Sequence, residues 1–372
     1  MTALSEASGV STVEVPIWAQ ARYFTDGDEG GSEYAFLRAC RREPTSFTPV
    51  WIMRQAGRYL PEYRRVREQL SFLDLCRNSE VAAEVTVGTV RKLGVDAAII
   101  FADILLPLIP MGLGLHFEKG EGPTIEHPIR CAEDVDRLPI VNPDESLSFV
   151  AKTIALTQTE LRGEAPVIGF AGAPFTVSSY AVEGGSSRNF VATKSMMYRE
   201  PHVWHRLMSY IAALTGTYLN MQIDAGADAV QLFDSWVGCL SPEDYLQFAL
   251  PYTQQVIASV RSRVPVIYFG TMTGSLLEMM RESGADVIGL DWRVDLDEAW
   301  GRLGNGVAVQ GNLDPVELFA RPSEIRKAVH EILMRAQGQP GHIFNLGHGI
   351  LPGTPVDSVL TLIDAVHEYS RR

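Results

Sequence analysis

Lysine is scarce in this chain: Lys92, Lys119, Lys152, Lys194 and Lys327 are the only five among 32 basic residues. None stands at the C-terminal end of a strand-like run, which argues against an imine-forming enzyme. Cysteine is rarer still. Cys40, Cys76, Cys131 and Cys239 lie far apart, with no C-x-x-C pair and no histidine at zinc-finger spacing, so the sequence reads as a reduced, cytoplasmic protein. Positive charge is short overall: 32 basic against 45 acidic side chains give a net charge of −13, which leaves no broad basic face for nucleic acid. Also missing are an H-E-x-x-H pair, a G-x-S-x-G elbow and a G-x-G-x-x-G after the first strand-like run, which argues against a catalytic metal, a serine nucleophile and a dinucleotide site. One long apolar run, 97–115, imitates a membrane span. It contains Asp103, whose burial in a bilayer costs about 3 kcal/mol, and Pro107, Pro110, Gly112 and Gly114, so it reads as a strand entering a loop.

What is present fits one large α/β domain. The 372 residues are 46% hydrophobic and 21% charged, as in a globular chain, and exceed an ordinary domain while suiting a barrel with insertions. Residues 1–32 begin small and polar and end acidic and glycine-rich, which predicts a flexible leader before a catalytic domain over 33–372. Short β-branched or apolar runs at 48–53, 97–101, 166–170, 229–233, 265–269, 287–290, 307–310 and 342–345 alternate with helical stretches. Eight such runs predict a single (β/α)8 TIM-type barrel. Three runs follow one phrase, in Leu93-Gly94-Val95-Asp96, Ala225-Gly226-Ala227-Asp228 and Ser283-Gly284-Ala285-Asp286, where glycine can end a helix before a tight turn. Ser241-Pro242, Asp314-Pro315 and Thr354-Pro355 read as helix starts with a side-chain cap. The insertion 107–142, with a hairpin around Lys119-Gly120-Glu121-Gly122, lies on the face where substrate lids form.

Chemistry in such a barrel comes from residues just past each strand. After the first run stand Arg54, Gln55, Ala56, Gly57 and Arg58. The two arginines, four apart, would share one side of a helical turn as an anion clamp, and Gly57 lets backbone approach a ligand. Arg64, Arg65 and Arg67 read as a solvated face of a helix begun at Pro61. After the second run, Asp103 sits among apolar residues, either as a buried structural partner or as a carboxylate placed to stabilise positive charge. Phe170 and Phe175 could wall a ligand, Ser235 follows the fourth run, and His348 stands between two glycines after the eighth, while His342 reads as core. Tyr180 alone would be an ordinary amphipathic helix residue.

Two long segments carry a resemblance. Pro49-Val50-Trp51-Ile52-Met53-Arg54-Gln55-Ala56-Gly57-Arg58-Tyr59-Leu60-Pro61-Glu62 resembles the first diagnostic motif of the uroporphyrinogen decarboxylase family, and Gly169-Phe170-Ala171-Gly172-Ala173-Pro174-Phe175-Thr176, continuing to Gly185, is similar to the second. The likeness extends through Phe101-Ala102-Asp103-Ile104-Leu105, Phe233-Asp234-Ser235-Trp236 and Asn345-Leu346-Gly347-His348-Gly349, and spans roughly residues 33–368. Phe175, where many relatives have tryptophan, and Val237, where alanine is common, depart from it conservatively. The resemblance implies a single barrel, usually a homodimer, and loss of the four acetate carboxyls of uroporphyrinogen III without metal or organic cofactor, while the charge and the run 97–115 already speak against a nucleic-acid or membrane partner. It implies further that Arg54 and Arg58 bind substrate carboxylates with Gln55, Ala56 and Gly57 around them. Asp103 would accept hydrogen bonds from the pyrrole NH groups, Tyr180 would position Asp103 and touch substrate, and Ser235 and His348 would be substrate contacts. Asp103 and Arg54 are the expected catalytic residues.

Overall fold

The computed structural model describes residues 34–118, 122–260 and 262–372. The expected leader over 1–32 and the hairpin tip Lys119-Gly120-Glu121 lie outside the described residues.

Among the described residues nine strands form two sheets. β1 (Ala98–Ile99), β4 (Val167–Gly172), β5 (Ala229–Asp234), β6 (Val266–Gly270), β7 (Val287–Gly289), β8 (Ala308–Gln310) and β9 (His342–Ile343) make one curled parallel sheet in that order. β2 (Leu115–Glu118) and β3 (Gly122–Ile125) pair antiparallel as the expected hairpin. The parallel strands are buried throughout except for half-exposed Phe233 in β5, as their near-continuous apolar sequences require when helices cover one face and a packed interior fills the other.

Seven of the eight expected strands are therefore in the sheet, and the first is not a regular strand. Segment 48–53 makes one isolated parallel bridge, Val50 to Phe344. Side chains take the backbone groups that a longer ladder would use: the Ile52 N–H donates to Gln55 Oε1 at 3.2 Å, and the Met53 N–H to Asn345 Oδ1 at 3.0 Å.

The Gly-x-Asp phrase is a stitch between neighbouring strands. Gly94, Gly226 and Gly284 all have positive φ, as a left-handed helix stop requires. The aspartate that follows then reaches back to the preceding strand. Asp228 accepts the Val167 N–H at 2.8 Å and donates its own N–H to the Val167 carbonyl at 2.8 Å; Asp286 does the same with Val266 at 2.9 and 3.0 Å.

Of the proposed caps, Ser241 accepts the Asp244 N–H at the head of Pro242–Phe248, and Asp314 caps a 3-10 turn, Pro315–Phe319. Thr354 does not cap. It is buried with its hydroxyl unpartnered, and the last helix, Val356–Ser370, starts after Pro355.

Among the described residues no helix is long and apolar enough to cross a membrane. The apolar run 97–115 is a strand, a turn of 3-10 helix and the start of the hairpin. That hairpin is no free lid: Thr124 bridges Gly185, the Ile125 N–H bonds the Gly184 carbonyl at 2.9 Å, and the Ile129 N–H bonds Ala181 at 2.9 Å. The insertion is thus fastened to the C-terminal end of the helix Pro174–Glu183.

A polar chain crosses the sheet's interior. Trp51 Nε1 donates to Gln310 Oε1 at 2.9 Å, and Gln310 Nε2 donates to Gln231 Oε1 at 3.1 Å. These buried amides satisfy one another, as groups removed from water must. His342 is buried as expected, with Nε2 3.1 Å from the Gly311 carbonyl, and burial pushes its pKa down to about 4.

Candidate active site

The loop after segment 48–53 is a set of tight turns and not a helical turn, so Arg54 and Arg58 do not share a helix face as their spacing suggested. Arg54 has φ +63°, a left-handed conformation that a non-glycine residue adopts at a cost of about 1 kcal/mol or more and that concentrates at functional positions. Gly57 allows the turn, because a Cβ there would stand 2.8 Å from the Arg54 carbonyl oxygen. Gln55 points into the wall: it is buried and donates to the Ala97 carbonyl at 3.1 Å, so in this conformation its side chain braces the loop and leaves Ala56 and the arginines outermost. Arg64, expected to be merely solvated, donates to the carbonyls of Arg58 and Tyr59 at 2.9 and 3.1 Å and holds the turn from below. Arg65 is exposed.

Asp103 follows β1 in a half-buried position, with Oδ1 accepting the Leu105 N–H at 2.8 Å. Desolvation raises its pKa to about 6 against the opposing pull of that N–H and of the Arg54 guanidinium. Tyr180, on the helix Pro174–Glu183, feels both: burial and the Asp103 charge push its phenol up to about 12 while Arg54 pulls it down. It remains a neutral hydroxyl at physiological pH. Its ring stacks on Trp236 with centroids 3.7 Å apart.

His348 is half-buried after β9, and burial, followed by the positive charge of Arg54, lowers its pKa below the ordinary histidine value. The flanking glycines serve close approach. A Cβ on Gly347 would meet the Trp292 backbone nitrogen at 2.4 Å, and one on Gly349 would meet Arg54 Cδ at 2.5 Å. Arg54 thus lies within electrostatic reach of Asp103, Tyr180 and His348, and Asp103 within reach of Tyr180. Ser235 sits beside Trp236 and is half-buried, its carbonyl accepting the Thr271 hydroxyl at 2.5 Å. Arg58 is exposed on the Tyr63 side of its loop, where its charge acts on that phenol.

Sequence reasoning missed the support beneath Ser235 and Trp236. Asp234 is wholly buried and accepts hydrogen bonds from Thr176 Oγ1 at 2.6 Å and Tyr268 OH at 2.8 Å; Thr176 in turn accepts the Trp236 N–H at 3.1 Å. Burial raises Asp234 to about 6 despite those two donors. The acidic residue within the Phe233-Asp234-Ser235-Trp236 motif was the available signal. Also missed was the turn after β7, where Asp291, Trp292 and Arg293 adjoin His348: the Trp292 and His348 ring centroids are 6.3 Å apart. Phe175 does not wall the site, since it is fully buried against Trp204 with centroids 5.9 Å apart, whereas Phe170 packs edge-on to Phe233 at 5.5 Å.

A half-buried carboxylate with an arginine and a neutral phenol nearby can hold NH donors and stabilise positive charge developing on a ligand. The chain matches the family described as Uroporphyrinogen decarboxylase (URO-D) over residues 32–369. It is 54% identical over 336 residues to the uroporphyrinogen decarboxylase of Carboxydothermus hydrogenoformans, covering 90% of this chain and 96% of that one. With the uroporphyrinogen decarboxylase of Roseiflexus sp. it shares 53% identity over 341 residues, covering 90% and 98% of the two chains. Among solved structures, a methyltransferase from Methanosarcina mazei superposes with a TM-score of 0.73 at 17% identity, covering 90% of this chain and 98% of that one, a likeness of fold alone.

Proposed function

The chain belongs to the uroporphyrinogen decarboxylase family, and from that premise we propose how its residues divide the work. The reaction removes the four acetate carboxyls of uroporphyrinogen III as carbon dioxide, leaving methyl groups in coproporphyrinogen III. Loss of carbon dioxide needs an electron sink, and a pyrrole protonated at a ring carbon is one. The protonated ring is cationic. Asp103 accepts the pyrrole NH groups and, ionised, offsets that charge in a partly desolvated site, where a fixed group of this kind is worth about 3 to 4 kcal/mol when removed. Tyr180 stays neutral beside it and keeps the macrocycle and Asp103 in register. Arg54 and Arg58 hold carboxylates, with Gly57 and Ala56 leaving room and Gln55 fixing the loop, and Ser235 and His348 complete the contacts.

The observation that supports this division of work is a half-buried Asp103 after β1, within electrostatic reach of Arg54 from the loop after segment 48–53. The scaffold is a (β/α)8 barrel in which segment 48–53 stands as the first stave. The protein works as a cytoplasmic homodimer and needs neither metal nor organic cofactor, because the substrate supplies the sink. Anaerobic assay of carbon dioxide release from uroporphyrinogen, with the parent and with Asp103→Asn, tests the assignment. Release by the parent and its near-abolition in a folded variant are expected; comparable release by both would make the carboxylate structural.

A further inference from the structure

Arg54 and Arg58 are two cations for a substrate that carries eight carboxylates. A third cation stands at the same end of the sheet, just past β7. The Arg293 N–H donates to Asp291 Oδ1 at 2.9 Å and its Nη1 donates to Asp291 Oδ2 at 2.8 Å, while the Met272 N–H also donates to Oδ2. Asp291 is only 2% exposed, so this carboxylate is a fixed internal post. The guanidinium lies over the Trp292 ring, its Cζ 3.9 Å from the centroid. One edge of the planar fork is thereby anchored and one face stacked, while the side chain as a whole is 45% exposed. Among the described residues Asp291 is its one hydrogen-bonding side-chain partner, which leaves the outer donors directed away from the post.

An ordinary surface ion pair needs neither a buried partner nor an aromatic platform, and contributes little. This arrangement instead removes the rotamer freedom that an arginine would lose on gripping an anion, which is what preorganisation supplies in a binding site. The position is also relevant. Arg293 and Arg54 both lower the His348 pKa, the Trp292 ring lies 6.3 Å from the His348 ring, and the Trp292 backbone is packed directly on Gly347. Held by Asp291 on one edge and half-exposed on the other, Arg293 keeps outer donors that can take a second anion at this strand end.

We propose that Arg293 is a further substrate-binding residue, a preorganised clamp for one side-chain carboxylate of the porphyrinogen that the loop of Arg54 and Arg58 does not hold. This rests on reading the site as the uroporphyrinogen pocket. Asp291 and Trp292 act through Arg293 as positioning residues.

Steady-state kinetics of Arg293→Gln and Arg293→Lys with uroporphyrinogen, alongside the parent, test the clamp, with thermal unfolding as the check on folding. Losing a charge-assisted hydrogen bond of about 1.5 to 3 kcal/mol corresponds to a KM at least about tenfold higher for Arg293→Gln, with kcat within about threefold of the parent. Arg293→Lys, which keeps the charge and loses the fork, falls between. As an independent readout, substrate Kd in an Asp103→Asn background rises by the same factor when Arg293→Gln is added. A KM and Kd within about twofold of the parent's, or a loss confined to kcat, overturns the clamp while the decarboxylase assignment stands. A parent that releases no carbon dioxide overturns the pocket assignment and the clamp with it.

Discussion

Asp96 and Val50 are joined twice: the Val50 N–H donates to Asp96 Oδ2 at 2.7 Å, and the Asp96 N–H donates to the Val50 carbonyl at 2.8 Å. The pairs Asp228–Val167 and Asp286–Val266 have the same geometry between true strands. Segment 48–53 therefore occupies a strand's position between β9 and the approach to β1, although it forms one bridge and no ladder. The same Asp96 oxygen also meets His367 Nε2 at 2.8 Å, so one carboxylate ties the first segment to the last helix. Asp96→Ala is expected to cost about 1 to 3 kcal/mol, the usual penalty for stranding buried polar groups, and to lower the urea midpoint without changing its slope. Asp96→Asn, which keeps an acceptor, loses less.

The raised pKa of Asp103 fixes the direction of a pH effect. The carboxylate is the working form, and it is protonated as pH falls through about 6, so kcat/KM should fall on the acid side with a midpoint near 6 and not near the ordinary carboxylate value. Arg54 lowers this pKa, so Arg54→Ala should move the acid limb upward. For stability the sign is opposite. A carboxyl whose folded pKa lies above its unfolded one favours the fold below the unfolded value, and that contribution is lost as pH rises through 6. Asp103→Asn should accordingly flatten unfolding midpoints measured between about pH 4 and pH 6, roughly the two pKa values.

The two arginines of the first loop should each matter to substrate handling. Arg54→Ala and Arg58→Ala are expected to lose at least about tenfold in kcat/KM, from charge-assisted hydrogen bonds worth about 1.5 to 3 kcal/mol. Arg65→Ala, on the exposed side of the helix Pro61–Gln69, should stay close to the parent. Equal losses at all three positions would mean a diffuse field in place of a specific grip.

Thr176 serves two neighbours, giving its hydroxyl hydrogen to Asp234 and accepting from the Trp236 N–H. Thr176→Val keeps the shape and removes both bonds. It should destabilise the protein by about 1 to 3 kcal/mol and, by loosening the Trp236 platform on which Tyr180 stacks, raise KM. Unfolding and steady-state kinetics on the same preparation measure the two effects.

Activity should survive strong chelation and need no added cofactor, since the pyrrole is its own electron sink and a divalent cation would compete with Arg54 and Arg58 for the same carboxylates. Dialysis against a chelator followed by assay with and without zinc or magnesium checks this; activity lost and restored by one metal would refute it.

Seven strands were legible because each is a short β-branched run between helices, a signal that needs no tertiary information. The first reads as regular because its pattern is equally apolar, and its ladder is interrupted by side chains, Gln55 close by on the Ile52 N–H and distant Asn345 on the Met53 N–H, whose inward turn the sequence does not announce. In the site, Asp103, Arg54 and His348 could be found from their unusual settings at strand ends. The inward turn of Gln55 could not, since its partner, the Ala97 carbonyl, lies 42 residues away. Nor could the burial of Phe175 against Trp204, which depends on how the helix Pro201–Asp224 packs. Arg293 was passed over although Asp291 and Trp292 stand beside it in sequence, because the burial of the one and the stacking of the other are visible only in three dimensions.

The contact between Gly349 and Arg54 has a consequence for inheritance. A methyl group at 349 would fall 2.5 Å from Cδ of Arg54, 2.9 Å from its Nε and 3.0 Å from its Cγ, so the arginine would have to leave its place although the fold could remain intact. In genetic terms the two positions form one locus of function separated by 295 codons (349 minus 54). A lesion at Gly349 should reproduce the phenotype of a lesion at Arg54 with normal protein abundance, and the double mutant should be no worse than either alone.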